Sequence, residues 1–150
     1  MTRTRSYSDA ERPERTERTP SVTDSVRRFG FVHAFAGLAG LVGPAVEGND
    51  DGLVNTEPGL FLGVVAVNGP HALFHLLWGL LGLSASRDEG SARRHALLSA
   101  VVFATLAAVG WRRFGFERGV HRIGVFAVDG WGNLGHAIVS VLGLRTAMRS

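Results

Sequence analysis

The sequence predicts an all-α fold, a bundle of four transmembrane helices built from two parallel helical-hairpin repeats. Four long apolar runs are separated by short polar links, and three of these runs carry no charged side chain. The mean hydropathy is above zero even though the N-terminal region is strongly polar. Part of the second run also recurs 61 positions later, since residues 63–83, GVVAVNGPHALFHLLWGLLGL, align with residues 124–144, GVFAVDGWGNLGHAIVSVLGL.

Residues 1–25 consist mainly of Thr, Ser, Arg, Glu and Pro. A segment with so few apolar side chains cannot bury enough surface to offset the entropy that it loses on ordering. We therefore expect a disordered cytoplasmic tail, followed by one four-helix membrane domain over residues 26–150. The tail mixes positive and negative charges, whereas a nucleic-acid-binding arm is a block of one sign. No nucleic-acid partner is expected.

Each apolar run predicts one helix of the membrane domain. The helices are expected at about residues 27–46, 69–86, 92–112 and 130–148. About 20 residues, at a rise of 1.5 Å each, cross a hydrocarbon core of about 30 Å. The first run has glycine at Gly37, Gly40 and Gly43, and small residues at such a spacing let helices approach closely in lipid.

The second and fourth helices have recognisable starts. Asn68 precedes Gly69 and Pro70, and Asp129 occupies the equivalent position before Gly130. Asn and Asp are good N-cap residues, and Pro is favoured in the first helical turn. The apolar segments just before these caps, 60–67 and 123–128, are predicted to be interfacial or partly inserted in the membrane.

Four spans place both chain ends on the same side of a membrane. More arginines flank that side than flank the other, which favours both termini in the cytoplasm and a multi-pass protein of the plasma membrane. The two groups are Arg27, Arg28, Arg87, Arg93, Arg94, Arg145 and Arg149 on one side, and Arg112, Arg113, Arg118 and Arg122 on the other. A soluble bundle is the alternative, but a soluble helix needs a polar face.

Polar side chains within the second and fourth runs form the candidate site. Residues three or four apart share a helix face, and polar groups in hydrocarbon need partners, so both polar stripes should face the interior. His75 and His136 each follow their cap by seven residues, about 10 Å along the helix, so they lie at equivalent depth. The predicted interior cluster contains Asn68, His71, His75, Asp129, Asn133 and His136.

These runs resemble a known membrane family, domain of unknown function 4383. The second apolar run reads N-x-x-H-x-x-x-H followed by G-x-x-G-L, and the fourth run repeats this pattern in degraded form. The resemblance covers about residues 27–144 and leaves the tail outside. It implies a small four-helix integral membrane protein of bacteria or archaea and implies no activity. The positions that carry it are Asn68, His71, His75, Gly79, Gly82, Leu83, Asp129, Asn133, His136, Gly143 and Leu144.

Several interpretations of the two equivalent histidines stay open. The simplest is an interhelical hydrogen bond from His75 or His136 to Asn68, Asn133 or Ser140, worth about 0.6 to 2 kcal/mol in a membrane. A sharper interpretation is haem b ligated by His75 and His136, because haem iron accepts axial histidines and helix bundles hold cofactors.

Two further interpretations concern the neighbouring polar residues. Asp129 is the one acid embedded in an apolar run, which would suit passage of protons or a small solute; an N-cap role explains it more simply. A zinc or copper site on His71 and His75 lacks a clear third ligand, so no metal and no cofactor is predicted. His33 and His95 are expected to be packing or interfacial residues.

No catalytic residue is predicted, because the sequence has no cysteine, no Gly-rich phosphate loop and no paired carboxylates in the runs. We therefore predict a non-enzymatic integral membrane protein with a structural or accessory role, its halves joined by the interior His/Asn/Asp cluster. The alternative is a small carrier of protons or solute, or a haem-binding protein. The expected partners are the lipid bilayer and either another membrane protein or a second copy of the chain.

Overall fold

The computed structural model describes residues 19–42, 45–48, 54, 57–117 and 119–149. Within these residues the chain is mostly helical. The four helices are α1 (Val22–Leu41), α2 (Gly69–Ala85), α3 (Glu89–Phe114) and α4 (Gly130–Ala147). Five short strands lie in the links, namely β1 (Val46–Glu47), β2 (Gly59–Phe61), β3 (Val65–Val67), β4 (His121–Ile123) and β5 (Phe126–Val128).

The first helix differs from its predicted bounds of 27–46 at both ends. Ser21 is its N-cap and accepts a 3.0 Å hydrogen bond from the backbone N–H of Asp24, so the helix already includes residues 22–25, which were expected in the disordered tail. The helix ends at Leu41, and Val46 lies in a strand. The rest of the expected tail, residues 1–18, lies outside the described residues.

The other helices follow the sequence more closely. α2 and α4 begin directly after Asn68 and Asp129, and both residues are N-caps with extended backbone, as predicted. α3 is longer at each end than the predicted 92–112, because Asp88 caps it at the start and the helix continues to Phe114.

Two antiparallel β-hairpins lie at the segments that were expected to be interfacial or partly inserted, so the mostly helical described fold also contains strands that the all-α prediction lacks. β2 pairs with β1 and β3, and β4 pairs with β5. The turns carry Gly63 at φ +70° and Gly124 at φ +59°, a region of backbone conformation that glycine adopts without steric cost. Each hairpin leads into an N-cap and then into a helix, so the sequence repeat is also a structural repeat.

The helices pack mainly in two antiparallel pairs, α1 with α2 and α3 with α4. Glycines allow the backbones to touch. A Cβ atom placed on Gly30 would lie 2.7 Å from the backbone nitrogen of Leu83 and 2.8 Å from the carbonyl oxygen of Gly79. On the other pair, a Cβ on Gly143 would lie 2.8 Å from the carbonyl oxygen of Ala96.

The buried side chains between the helices are mostly small or polar, whereas the exposed side chains on the outside of the bundle are mostly large and apolar. Among the described residues no Leu, Ile or Met is buried, and Phe103, Asn133 and Ser99 are the largest fully buried side chains. Leu, Val, Ile and Phe side chains cover the outward faces of all four helices. One helix of the described part, α3, is long and apolar enough to cross a membrane by length and composition.

Candidate functional site

Asn68 connects the first half of the chain to the second. Its side-chain oxygen caps α2 by accepting from the backbone N–H of His71 at 3.3 Å, and it also accepts from the N–H of Ala127 in β5 at 3.1 Å. Its side-chain nitrogen donates to the carbonyl of Val125 at 2.8 Å. An amide both donates and accepts, so one buried side chain caps its own helix and holds the opposite hairpin.

His71 is oriented by the same hairpin. Its Nδ1 lies 2.7 Å from the carbonyl oxygen of Ala127, and its Nε2 lies 3.0 Å from Nε2 of His75. A carbonyl only accepts, so Nδ1 of His71 carries the proton, and in the neutral ring Nε2 is then an acceptor. It follows that His75 donates from its Nε2, and the protons are assigned from these partners.

His136 and His33 complete a group of four neighbouring imidazoles, in which His75 stacks on both His33 and His136. The rings of His75 and His136, which the sequence places at equivalent depth, lie 6.0 Å apart and are nearly parallel at 15°. His33 from α1 lies 5.1 Å from His75, and His71 lies 5.9 Å from His136. We call His33, His71, His75 and His136 the histidine cluster.

The hydrogen bonds of the cluster differ from those expected. His75 bonds to His71 on its own helix, not to Asn68, Asn133 or Ser140. Ser140 donates instead to the carbonyl of Ala100, at 2.8 Å. Nδ1 of His136 is buried and has no hydrogen-bond partner among the described residues.

Two of the six predicted site residues lie beside the cluster without a hydrogen bond to it. Asp129 is 3 % exposed, and its carboxylate accepts from the N–H of Gly132 at 2.8 Å, the helix-capping role that the sequence favours. It also interacts electrostatically with His71. Asn133 is buried against Gly110 at the contact of α3 with α4, and its amide atoms have no hydrogen-bond partner in the part of the chain that the structure describes.

Sequence reasoning missed His33 as a member of the cluster. No pattern in the sequence identifies it, because the equivalence lies in the structure: His33 of α1 and Phe103 of α3 each pack against the equivalent histidine of the partner helix. The ring of His33 lies 5.1 Å from His75, and that of Phe103 lies 5.3 Å from His136. His95 lies outside the cluster and packs against Trp78 at 5.3 Å.

The space around the cluster is small. A cavity of about 90 Å³ with mainly apolar walls reaches His71 and His136 from one side. A second cavity, of about 220 Å³, reaches all four histidines from the side of α1 and α4. One ring nitrogen from each of His71, His75 and His136 lies within 4.8 Å of the other two, so the three histidines could hold a metal ion after a small movement.

The geometry does not fit haem held between His75 and His136. Nε2 of His71 lies 3.0 Å from Nε2 of His75, inside the volume that a porphyrin on His75 would occupy. The ring of Phe103 fills a further part of this space, 6.0 Å from His75 and 5.3 Å from His136. The haem interpretation therefore has no room among the described residues.

Comparison with known proteins identifies a family. A family model described as a domain of unknown function (DUF4383) matches residues 26–115. The match covers α1 to α3 and includes Asn68, His71 and His75, whereas the second hairpin and α4 lie beyond it. No curated protein and no solved structure matches the chain.

Proposed function

This chain belongs to the DUF4383 family of domains of unknown function, and we propose that it is a four-span integral membrane protein with a structural or accessory role. The proposal has three parts. Lipid surrounds the helices, the two helix pairs α1–α2 and α3–α4 each cross the bilayer and return, and the polar interior holds the pairs together. No catalytic role is proposed.

The distribution of side-chain size and polarity carries the membrane part of the proposal. Phe31 on α1, Leu81 on α2, Val101 on α3 and Ile138 on α4 are all more than half exposed, while the buried side chains apart from Phe103 are mostly small or polar. In water such a surface would leave most of the large apolar side chains unburied and hydrophobic stabilisation would be small. In lipid the same arrangement is stable, because membrane helices associate through small residues and interhelical polar contacts.

The arginines support the proposed orientation. The start of α1, the start of α3 and the end of α4 meet at one end of the bundle, where Arg149 donates to the carbonyl of Pro20 at 3.1 Å and Arg93 donates to that of Ala147 at 2.6 Å. An excess of arginine at this end favours the cytoplasmic side. The second helix is only about 26 Å long by its rise, and the apolar hairpin before it extends the embedded length.

The contacts of Asn68 support the structural part. They join the first half of the chain to β5, and His71 adds a further bond to the carbonyl of Ala127. In a medium without water each of these backbone groups would otherwise lack a partner, at a cost of several kcal/mol. We therefore propose that Asn68 and His71 join the two halves of the chain.

Cysteine labelling in intact cells tests the topology, since the chain has no native cysteine. Arg87 lies in the link between α2 and α3, Phe116 lies beyond the end of α3, and both are exposed. With a membrane-impermeant maleimide we expect labelling of F116C from outside and of R87C only after lysis. Labelling of both from the same side contradicts the topology.

A third cysteine variant distinguishes directly between a lipid and an aqueous environment at the helix surface. Val101 lies in the middle of α3 and is 58 % exposed, so V101C would react readily if water surrounded the bundle. We expect no reaction in membranes and full reaction after denaturation in detergent. Fast labelling of V101C in native membranes, at the rate of F116C, contradicts the proposal.

A second candidate function is a proton carrier, which the 3.0 Å contact between His71 and His75 favours. Paired neutral imidazoles can pass a proton from one ring nitrogen to the next. Proteoliposomes with an internal pH dye test this role. Proton flux that is abolished in H75L protein that is still folded and monodisperse supports the carrier; absence of flux in the wild type excludes it.

A further inference from the structure

We propose that His71, His75 and His136 form a binding site for one borderline transition-metal ion, of the class of Zn²⁺ or Cu²⁺. The site goes beyond the structural role proposed above and does not depend on the lipid environment. It uses one ring nitrogen from each of the three histidines, and these nitrogens lie within 4.8 Å of one another.

The spacing of the first two histidines matches that of metal ligands. His71 and His75 lie four residues apart on one face of α2, a spacing at which a helix presents two imidazoles to one zinc ion. Zinc–nitrogen bonds of 2.0–2.1 Å in a tetrahedral site place neighbouring ligand nitrogens about 3.3 Å apart. The two Nε2 atoms already lie 3.0 Å apart.

His71 has the outer hydrogen bond that metal-binding histidines typically have. Such histidines usually donate from the second ring nitrogen to a carbonyl or carboxylate, which fixes the tautomer and aims the other nitrogen at the metal. Nδ1 of His71 donates to the carbonyl of Ala127 at 2.7 Å. His75 can free its own Nε2 by moving its proton to Nδ1, without a change in net charge.

His136 supplies the third ligand that the sequence did not reveal. It comes from α4, and one of its ring nitrogens lies within 4.8 Å of the ligand atoms of both other histidines. A ring rotation and a shift of about 1.5 Å bring this nitrogen to the tetrahedral spacing. Nδ1 of His136 has no hydrogen-bond partner among the described residues, and buried polar atoms in that condition are rare in folded proteins.

The surroundings fit a positive ion. Asp129 is buried at the N-terminus of α4, the helix that carries His136, and a carboxylate close to the site would partly offset the charge of the metal. Three imidazoles without a thiolate favour Zn²⁺ or Cu²⁺ over the hard ions Mg²⁺ and Ca²⁺. The cavity of about 220 Å³ beside the cluster provides access and room for a fourth, non-protein ligand.

Zinc binding by detergent-purified protein without a histidine tag tests the site. After treatment with a chelator, we expect the full-length chain to bind one equivalent of Zn²⁺. The variants H71Q, H75Q and H136Q should each weaken binding more than about tenfold, because loss of an outer partner alone weakens a metal site 10- to 100-fold. H121Q and H95Q are matched controls that also remove one histidine each, at positions outside the cluster, and they should bind as the wild type does.

Cobalt substitution gives a measurement that needs no variant. Co²⁺ in a four-coordinate imidazole site gives strong visible d–d absorption, whereas six-coordinate Co²⁺ absorbs weakly. Strong absorption by the wild type, removed by Zn²⁺, supports the site even if the glutamine variants do not fold.

The proposal is overturned by lack of Zn²⁺ binding in the wild type, by a weak six-coordinate spectrum, or by unchanged binding in the three cluster variants. None of these results alters the cysteine protection pattern, so failure of the metal site is distinguishable from failure of the membrane topology.

Discussion

The side-chain nitrogen of Asn68 donates a 2.8 Å hydrogen bond to the carbonyl oxygen of Val125, 57 residues away in the second half of the chain. Its oxygen accepts from the N–H of Ala127 in the same hairpin. The equivalent residue of the second half, Asp129, accepts from the backbone of its own helix. The repeat is therefore asymmetric where the halves meet, and the bond to Val125 has no counterpart at Asp129 because a carboxylate has no N–H to donate.

Exchange of the two cap residues tests this asymmetry. N68D keeps the acceptor oxygens but loses the donor to Val125, and it places a carboxylate against a carbonyl oxygen in a buried site. We expect a clear decrease in thermal stability, because an unsatisfied or repelled buried polar group costs about 1–3 kcal/mol. D129N keeps the cap acceptor and should have a much smaller effect. Equal decreases for N68D and D129N, measured by thermal unfolding in detergent, would contradict the assigned roles.

A glycine in the contact of α1 with α2 should not tolerate a methyl group. A Cβ on Gly37 would overlap the backbone of Leu76 and Ala72, so G37A must separate the two helices. We expect a loss of about 1–3 kcal/mol, typical of overpacking. The control is G135A on α4, where a Cβ would meet nothing within 4 Å; it should be neutral or slightly stabilising, by up to about 1 kcal/mol from helix propensity. Equal stability of the two variants is incompatible with the close helix contact.

The two equivalent histidines should respond differently to removal. H75L leaves Nε2 of His71 without its 3.0 Å partner, and we expect a loss of roughly 0.6 kcal/mol, with an upper value near 1.7 kcal/mol for membrane interiors. H136L removes a ring whose Nδ1 has no partner among the described residues, so in metal-free protein it should be close to neutral. Thermal unfolding in the presence of a chelator measures both. A larger loss for H136L than for H75L would show that the hydrogen bonding is assigned wrongly.

Asp88, the N-cap of α3, should make the thermal stability of the protein depend on pH in acidic solution. Asp88 accepts from the backbone N–H of Ser91 at 2.7 Å, and hydrogen bonds from Ser91 lower the pKa of its carboxyl below 3.8. A lowered pKa in the folded state means that the ionised cap stabilises the helix above about pH 3.8, and that this contribution is lost as the pH falls through the lower folded-state value. We expect D88A to be less stable than the wild type at neutral pH, with the difference shrinking in strong acid. D88N, which caps without ionising, should lack this pH dependence.

Local signals in the sequence were sufficient for the starts of α2 and α4. Asn68 and Asp129 directly precede Gly69 and Gly130, the first residues of the two helices. Capping depends on residues within one helical turn. The start of α1 was predicted wrongly because the charged pair Arg27 and Arg28 was taken as its boundary. Ser21 with Asp24 is a capping pair of the same local kind, and it places the start at Val22.

Features that depend on tertiary contacts could not be predicted from such local signals. The strands of the two hairpins were not predicted, because an uninterrupted apolar run does not distinguish a short strand from other buried segments; Gly63 and Gly124 were the turn signals present. His33 joins the cluster through the packing of α1 on α2, a tertiary contact that no local pattern in the sequence indicates. The hydrogen bond from Asn68 to the opposite hairpin depends on a tertiary contact over 57 residues.

The central claim is that lipid solvates the large apolar side chains on the outside of the four helices. Alkaline extraction of membranes from cells that express the full chain tests it most directly. The account predicts that the protein stays in the membrane pellet and leaves it only with detergent, in which it remains folded and monodisperse. Recovery of a folded, monodisperse protein from the aqueous fraction without detergent would contradict the account.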